Sequence, residues 1–355
     1  MLKKNAGKKK TGVEASQTRF TVVFPIHNEE ANLESFFGSI MFSDIPKSAH
    51  ITFVAVTNAC IDRSFDRVRF FMQNIGELRP SSIATSLYDE EVDNEIQEVR
   101  SRNLRFIHIN TATPSKANVL ILGNKVARSL GNNIAMSIDA NIWVEPDAIQ
   151  TMYSHVIKSI QAENSNSVLF DGQQKREIRK SALKPFILLY RSKFADTPRG
   201  SINGWFMAWD TKWFEGNGGI PLSANEDYGM AIKARLERKY FEHSMAEIWG
   251  YESNGIGDRL SEIRRHIRGA LQIISFYNQD EQVSQMIKAD RFLLRPLPDR
   301  VKYFLKRARE KPIGLPFFIL NFILWEYGLF RGKQDYNKNP QDHSWQPIRS
   351  TKSPL

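Results

Sequence analysis

The sequence predicts an α/β protein, with a mostly parallel sheet flanked by helices and a helical C-terminal extension. Three observations predict it. Short apolar runs such as Phe20-Thr-Val-Val-Phe-Pro25 and Ile51-Thr-Phe-Val-Ala-Val56 have the character of strands buried on both faces. Each is followed by a stretch with a helical pattern, the alternation of a βαβ unit. The 355 residues are 41% hydrophobic and 25% charged, which suits a globular chain able to bury a sizeable core.

The elements are read in chain order. Residues 1–18 predict a disordered basic tail; Lys3, Lys4, Lys8, Lys9 and Lys10 precede no apolar core, so the tail does not read as a secretory signal. Phe20–Pro25 is the first strand. Leu33, Phe36, Phe37 and Ile40 then fall at helical spacing and place a helix over 29–41. The second strand is Ile51–Val56 and the second helix covers 62–73. Residues 75–100 are polar, with Glu90, Glu91, Asp93, Glu95 and Glu98 close together, and read as a surface excursion. The sheet resumes at Leu104–Ile109. A helix over 116–130, a strand at Asn133–Ile138 and a helix after Pro146 follow. In the second half, Ser167–Phe170 and Trp205–Trp209 read as strands. Residues 226–239, 257–277 and the basic 286–311 read as helices.

Residues 312–330 are strongly apolar, from Ile313 and Leu315 to Leu324 and Trp325, but hold Asn321, Glu326, Pro312 and Pro316. The run is short for a bilayer span, which needs about 20 apolar residues. Lying in a membrane interface and packing on the domain both stay open, with a true span as a third reading. The division expected is a tail at 1–18, one domain at 19–280 and a helical extension at 281–355.

Composition narrows the function classes. The single cysteine, Cys60, excludes a disulfide framework and a cysteine zinc cluster, and fits a reducing, cytoplasmic setting. The net charge is +10, half of it carried by the five tail lysines. The tail reads as a solubilising arm or as one touching anionic lipid or nucleic acid.

In parallel α/β sheets, ligands gather at the carboxyl ends of the strands. After the first strand comes Pro25-Ile-His-Asn-Glu-Glu30, after the second Thr57-Asn-Ala-Cys-Ile-Asp62, and after Asn133–Ile138 comes Asp139-Ala-Asn141. Each segment alone could cap a helix. Together they predict one polar site.

These residues resemble the family 2 glycosyltransferases. Val22-Val-Phe-Pro-Ile-His-Asn-Glu-Glu-Ala-Asn-Leu33 looks like the family's opening strand, and Val56–Asp62 like its second strand end. Ser115-Lys-Ala-Asn118 is similar to its lysine segment, and Ser137–Asp147 to its D-x-D region. Gly218–Pro221 with Asn225-Glu-Asp227 resembles its acceptor-side motif, and Arg264-Arg-His-Ile-Arg268 its arginine-bearing helix. The resemblance spans residues 20–270 in the family's order. It implies a Rossmann-like GT-A fold and an inverting sugar transferase, with Mn²⁺ or Mg²⁺ as cofactor.

By this resemblance, Pro25, His27, Asn28, Glu29, Thr57, Asn58, Asp62, Lys116 and Asp139 bind the nucleotide-sugar donor. Asp139 ligates the divalent cation, and Asn141 stands where the family has a second aspartate, an amide oxygen without charge. Asp227 is the base that takes the acceptor proton, with Glu226 beside it. Gly204, Trp205, Arg264, Arg265 and Arg268 touch the acceptor or the diphosphate. Trp345 and Arg349 look like a closing tail segment. The implied reaction moves a hexosyl or N-acetylhexosaminyl group from a nucleotide-diphosphate sugar, UDP-linked first, to a hydroxyl of a glycan or lipid-linked acceptor. Such chemistry serves surface polysaccharide or glycoconjugate synthesis, in the cytoplasm or peripherally at a membrane's cytoplasmic face. Two other readings are a nucleic-acid-modifying transferase, motivated by the basic charge, and a catalytically weak nucleotide-sugar-binding scaffold, motivated by Asn141. No base-reading motif is present, which makes nucleic acid an unfavoured partner.

Overall fold

The computed structural model describes residues 19–45, 49–83, 96–101, 104–162, 165–177, 202–251, 255–290, 294–310, 315–342 and 344. The basic tail, the acids Glu90, Glu91, Asp93 and Glu95, Pro312, Ile313, and Trp345 and Arg349 lie outside them.

The first half runs β1 (Arg19–Ile26), α1 (Leu33–Met41), β2 (His50–Asn58), α2 (Ser64–Ile75), β3 (Arg79–Pro80), β4 (Gln97–Ser101) and β5 (Leu104–Thr111). It continues with α3 (Lys116–Ser129), β6 (Ile134–Ile138), β7 (Ile142–Val144) and α4 (Ala148–Gln161). The second half holds β8 (Ser167–Glu177), β9 (Phe206–Asp210), α5 (Thr211–Glu215), α6 (Glu226–Leu236), β10 (Tyr240–Tyr251) and α7 (Ile256–Phe276). Three helices close the chain: α8 (Glu281–Asp290), α9 (Leu297–Glu310) and α10 (Leu315–Lys338).

The ten strands form one sheet in the order β3-β4-β5-β2-β1-β6-β9-β8-β10-β7. Its centre, β5-β2-β1-β6, is parallel throughout. β1 is buried along all but its first residue, the condition that its continuous apolar run satisfies. From β1 the strand order proceeds one way to β2 and β5 and the other way to β6. That reversal opens a crevice at the carboxyl ends of β1 and β6.

Helices cover both faces. Phe24, Ile26 and Phe53 meet Phe36, Phe37 and Ile40 of α1, with Val68 of α2 and Met152 of α4 in the same cluster. Val23, Val54 and Ile107 face Val119 and Val126 of α3 on the other side. The rings of Phe24 and Phe53 stack at 5.5 Å, and Phe36 meets Phe24 edge-on at 5.0 Å. Truncating a phenylalanine buried this way costs about 3–5 kcal/mol.

Three sequence expectations are corrected, and one strand is new. The segment 75–100 is not wholly a surface excursion, because its ends become β3 and β4 at the sheet edge. Glu98 is buried there, held by Arg105, Arg100 and the Ser81 hydroxyl. The basic 286–311 stretch is not one helix: α8 ends at Asp290 and α9 runs from Leu297 to Glu310. The helix expected over 226–239 stops at Leu236, and β10, which lacks a strong apolar run, follows at Tyr240. β7 is a short strand paired antiparallel to β10 that no local pattern announced.

Among the described residues, no helix is long and apolar enough to cross a membrane. The apolar run instead begins α10, whose middle packs on α7. Gly328 and Gly332 let the two helices approach closely: a Cβ on Gly328 would stand 2.6 Å from Ile263 Cγ2, and one on Gly332 2.9 Å from Ile267 Cβ.

Candidate functional site

Lys116 is the hub of the site. It opens α3, whose N-cap Ser115 accepts a hydrogen bond from the Asn118 amide at 3.3 Å. Its side chain is buried, yet its Nζ lies 2.7 Å from Asp139 Oδ1 and 2.9 Å from Glu226 Oε1, and donates to the Gly204 carbonyl at 3.0 Å. One ammonium thus joins β6, α6 and the entry to β9. Burial works against its charge, but the two carboxylates outweigh that and push its pKa above the usual lysine range.

Asp139 follows β6. Two residues before it, Ser137 pairs with Val23 of β1, so Asp139 lies level with Pro25 at the crevice. Its amide donates to the Trp205 carbonyl at 2.9 Å. Burial pushes the Asp139 carboxyl up to about 6, against the pull of Lys116 and the more distant Arg265. Asn141, two residues on, has a buried Oδ1 with no hydrogen-bond partner. A buried amide oxygen without a donor is costly unless something binds it.

Those two side chains fit the implied divalent cation in one respect and limit it in another. Oxygen donors are what Mn²⁺ and Mg²⁺ prefer, and such ions bind through one or two carboxylates plus substrate phosphates. Among the described residues no cluster of three or more His, Cys, Asp or Glu side chains could hold a metal alone. A cation here would depend on the ligand for much of its coordination.

Glu226 and Asp227 begin α6, where negative charge meets the helix dipole favourably. Glu226 is buried against Lys116, whereas Asp227 is half-buried. Asp227 Oδ1 accepts the Tyr228 amide at 2.7 Å. Its other oxygen lies so close to Gly204 that a Cβ there would approach to 2.9 Å. Glycine at 204 therefore leaves the room in which the Asp227 carboxylate sits. Gly250 plays a similar part for Trp205, whose ring would meet a Cβ at 2.5 Å.

The β1 and β2 ends form the neighbouring part of the crevice. His27 Nδ1 is 2.6 Å from the Asn58 carbonyl, and Asn28 Oδ1 accepts the Ile61 amide at 2.8 Å. Asn28 and Ala59 both adopt left-handed backbone, φ 54 and 47. Thr57 is buried, its hydroxyl 2.8 Å from Asn110 Oδ1 and 2.9 Å from His108 Nε2. Burial lowers the His108 pKa to about 3, which keeps that imidazole neutral. Asn58 is fully buried, and its Oδ1 has no hydrogen-bond partner. Glu29 and Asp62 have structural work here. The Glu29 carboxylate accepts from Asn32, while Asp62 accepts the Ser64 and Glu30 amides and staples the two loops together.

The three arginines Arg264, Arg265 and Arg268 of α7 separate. Arg264 pairs with Asp335 at 2.8 Å. Arg268, buried, holds Asp342 at 2.7 Å and the Ser344 carbonyl at 2.7 Å. Both strap the C-terminal segment to α7. All three line a cleft of about 250 Å³ between α7 and α10, which Lys338 also lines. Arg265 is the one whose charge reaches Asp139.

Sequence reasoning missed Gln272, His108 and Asn110. Gln272 accepts the Ala224 amide and donates to the Pro340 and Asp342 carbonyls, bracing the loop before Glu226. Its partners are 48 to 70 residues away, so no local pattern could reveal it.

No family model matches the chain, and no curated protein sequence matches it. Solved structures do. The chain superposes on the mannosyltransferase PcManGT from Pyrobaculum calidifontis, solved with GDP-Man and Mn²⁺, at a TM-score of 0.56 and 14% identity. That match covers 90% of this chain and 87% of that one. TarS from S. aureus in complex with UDP matches at a TM-score of 0.42 and 14% identity, over 90% and 92% of the two chains. Glucosyl-3-phosphoglycerate synthase from Mycobacterium tuberculosis, with Mg²⁺ and UDP, matches at 0.39 and 16% identity, over 66% and 70%. The PcManGT match establishes the expected GT-A-type fold.

Proposed function

We propose that this protein is an inverting glycosyltransferase using a nucleotide-diphosphate sugar, with a UDP-sugar the first donor to test. The observation that carries the reading is the convergence of Lys116, Asp139, Glu226 and Asp227 at the carboxyl-end crevice of a parallel sheet. Four charged groups gathered at a strand-order reversal are far more than helix capping requires. The GT-A-type fold and the ordered family 2 motifs support it.

The buried Asn58 amide at the end of β2 presents an acceptor oxygen suited to a nucleobase N–H. Asp139 and Asn141 would hold a divalent cation, which as a Lewis acid stabilises charge on the leaving diphosphate. Lys116 neutralises Asp139 and Glu226 and fixes both in place. Arg265 adds positive potential felt at Asp139. Asp227 takes the proton of the acceptor hydroxyl as that oxygen bonds the anomeric carbon. The bond from the sugar to the diphosphate breaks in the same displacement, so the configuration inverts and no covalent nucleophile is needed. Glu226, tied to Lys116, positions rather than accepts the proton. The acceptor is a hydroxyl of a glycan or of a lipid-linked saccharide, taken in beside Gly204 and Trp205.

A thermal-shift screen of nucleoside diphosphates and their sugars, with and without Mn²⁺, tests donor binding by mass action. Transfer is then measured for the parent and for Asp227→Asn. A donor that binds while Asp227→Asn keeps parental turnover removes Asp227 as the base. A second reading rests on Asn141, which brings no charge to the cation: the chain binds the donor without turnover, and the same screen would then show binding with no transfer in the parent.

A further inference from the structure

α10 packs on α7 along one side and meets α9 along another, and a further arc of its surface stays exposed. Leu329 and the two glycines bury against Ile263 and Ile267 of α7. On that further arc, Ile319, Leu320, Ile323, Tyr327 and Phe330 are exposed, Ile323 by 57% and Phe330 by 62%. At 100° per residue these five fall within a single arc of about 100°, the width of an amphipathic helix's apolar stripe, and they extend along roughly 16 Å of axis. The stripe faces outward where a core-packed helix would face in. Contiguous exposed apolar surface of this kind marks an interaction site.

α9 lies beside it, held by the Phe304–Phe322 ring contact at 5.1 Å and by Arg300, which grips Glu326 through two hydrogen bonds at 2.7 and 2.6 Å. It adds exposed Leu305 and Tyr303. It also adds exposed Lys302, Lys306 and Arg309, and α10 adds Lys333. No acidic side chain falls among the five stripe residues, and Glu326, next to Tyr327 in the chain, is taken by Arg300. α9 also carries exposed Asp299, one turn before Lys302, so the basic flank is net positive rather than free of acids.

We infer that the α9–α10 face docks on an anionic lipid surface, with the stripe at the headgroup–acyl boundary and the lysines against the headgroups. An apolar stripe with basic flanks is the chemistry of an interfacial helix. A second copy of this chain would bring the basic side chains of both copies into one interface, which like charge disfavours. The face also sits well for a lipid-borne acceptor. The helix that carries the stripe continues about 12 Å from Phe330 to Lys338, which lines the arginine cleft. That last point rests on the proposed transferase reading; the docking itself does not.

The test is vesicle flotation of the full chain with phosphatidylcholine alone and with phosphatidylcholine mixed with phosphatidylglycerol. Binding to the anionic vesicles, weakened by salt, is expected. Ile323→Glu with Phe330→Glu should reduce that partitioning at least tenfold, since it places charge at the apolar boundary. Lys302→Glu with Lys306→Glu should reduce it and flatten its salt dependence. Both variants should keep the parental nucleotide thermal shift, which separates failed docking from failed donor binding. A parent that ignores anionic vesicles overturns the inference. So does an Ile323→Glu/Phe330→Glu variant that binds as well as the parent, since the basic tail alone would then account for binding. A parent dimer that these two substitutions dissociate would reassign the face to self-association.

Discussion

Replacing Lys116 by methionine removes the charge at the hub with little change of shape. The ammonium lies 2.7 Å from Asp139 and 2.9 Å from Glu226, all three side chains being buried. At an effective dielectric of about 20, each contact is worth on the order of 6 kcal/mol before desolvation is counted. Desolvation of the lysine offsets much of that, and removing one member of a buried ionic cluster typically costs about 3–5 kcal/mol. Lys116→Met should therefore lose that much in urea unfolding near neutral pH, a large part of a domain's stability. The loss comes from two carboxylates left buried together, so Lys116→Met/Glu226→Gln should regain roughly half of it. The cycle with Glu226→Gln alone then isolates the coupling. Mn²⁺ should stabilise Lys116→Met more than the parent, because a second cation can take over part of the neutralisation. A loss below about 1 kcal/mol, or a double variant no more stable than Lys116→Met, would refute the reasoning that Lys116 neutralises the pair.

The remaining predictions concern geometry, protons and packing. Gly204→Ala should push the Asp227 carboxylate aside and cut kcat about 100-fold while the urea midpoint moves little, as expected of a misplacement near 1 Å; unchanged kcat would remove Asp227 from the reacting centre. His108 is neutral in the fold because its pKa is lowered to about 3, below the unfolded value. The unfolded chain thus binds the extra proton, and stability should fall as pH drops from about 6.5 toward 3, by up to roughly 1.4 kcal/mol per unit from this group. A His108→Asn variant should show a shallower fall in urea titrations over that range, and identical slopes would contradict the assignment. Gly332→Val should force α10 away from Ile267 at a cost of about 1–3 kcal/mol. It should also raise amide exchange at Asp342 and Ser344, which Arg268 straps to α7.

Local sequence determined the sheet's centre and the ends of its strands. The runs at Phe20, Ile51 and Ile134 are largely apolar because strands buried on both faces leave no solvent side, and that pattern is readable one segment at a time; the run at Leu104 keeps it at Phe106, Ile107 and Ile109 while carrying Arg105 and His108. The polar residues after them, from Pro25 to Asn141, were legible for the same reason, since ligands gather where parallel strands end. Tertiary structure decided what those residues do. Nothing near Lys116 in the chain announces that it joins Asp139, 23 residues on, to Glu226, 110 residues on. Equally, Asp62 read alone could bind or cap, and only its hold on the Glu30 amide shows the staple. The apolar 312–330 run was ambiguous because hydrophobicity records how much surface avoids water but not which neighbour covers it. Gly328 and Gly332 set one side of α10 against α7, and the same contact left Ile323 and Phe330 facing outward. Spacing along the chain fixes which side chains share a face; the packing of distant segments fixes what that face meets.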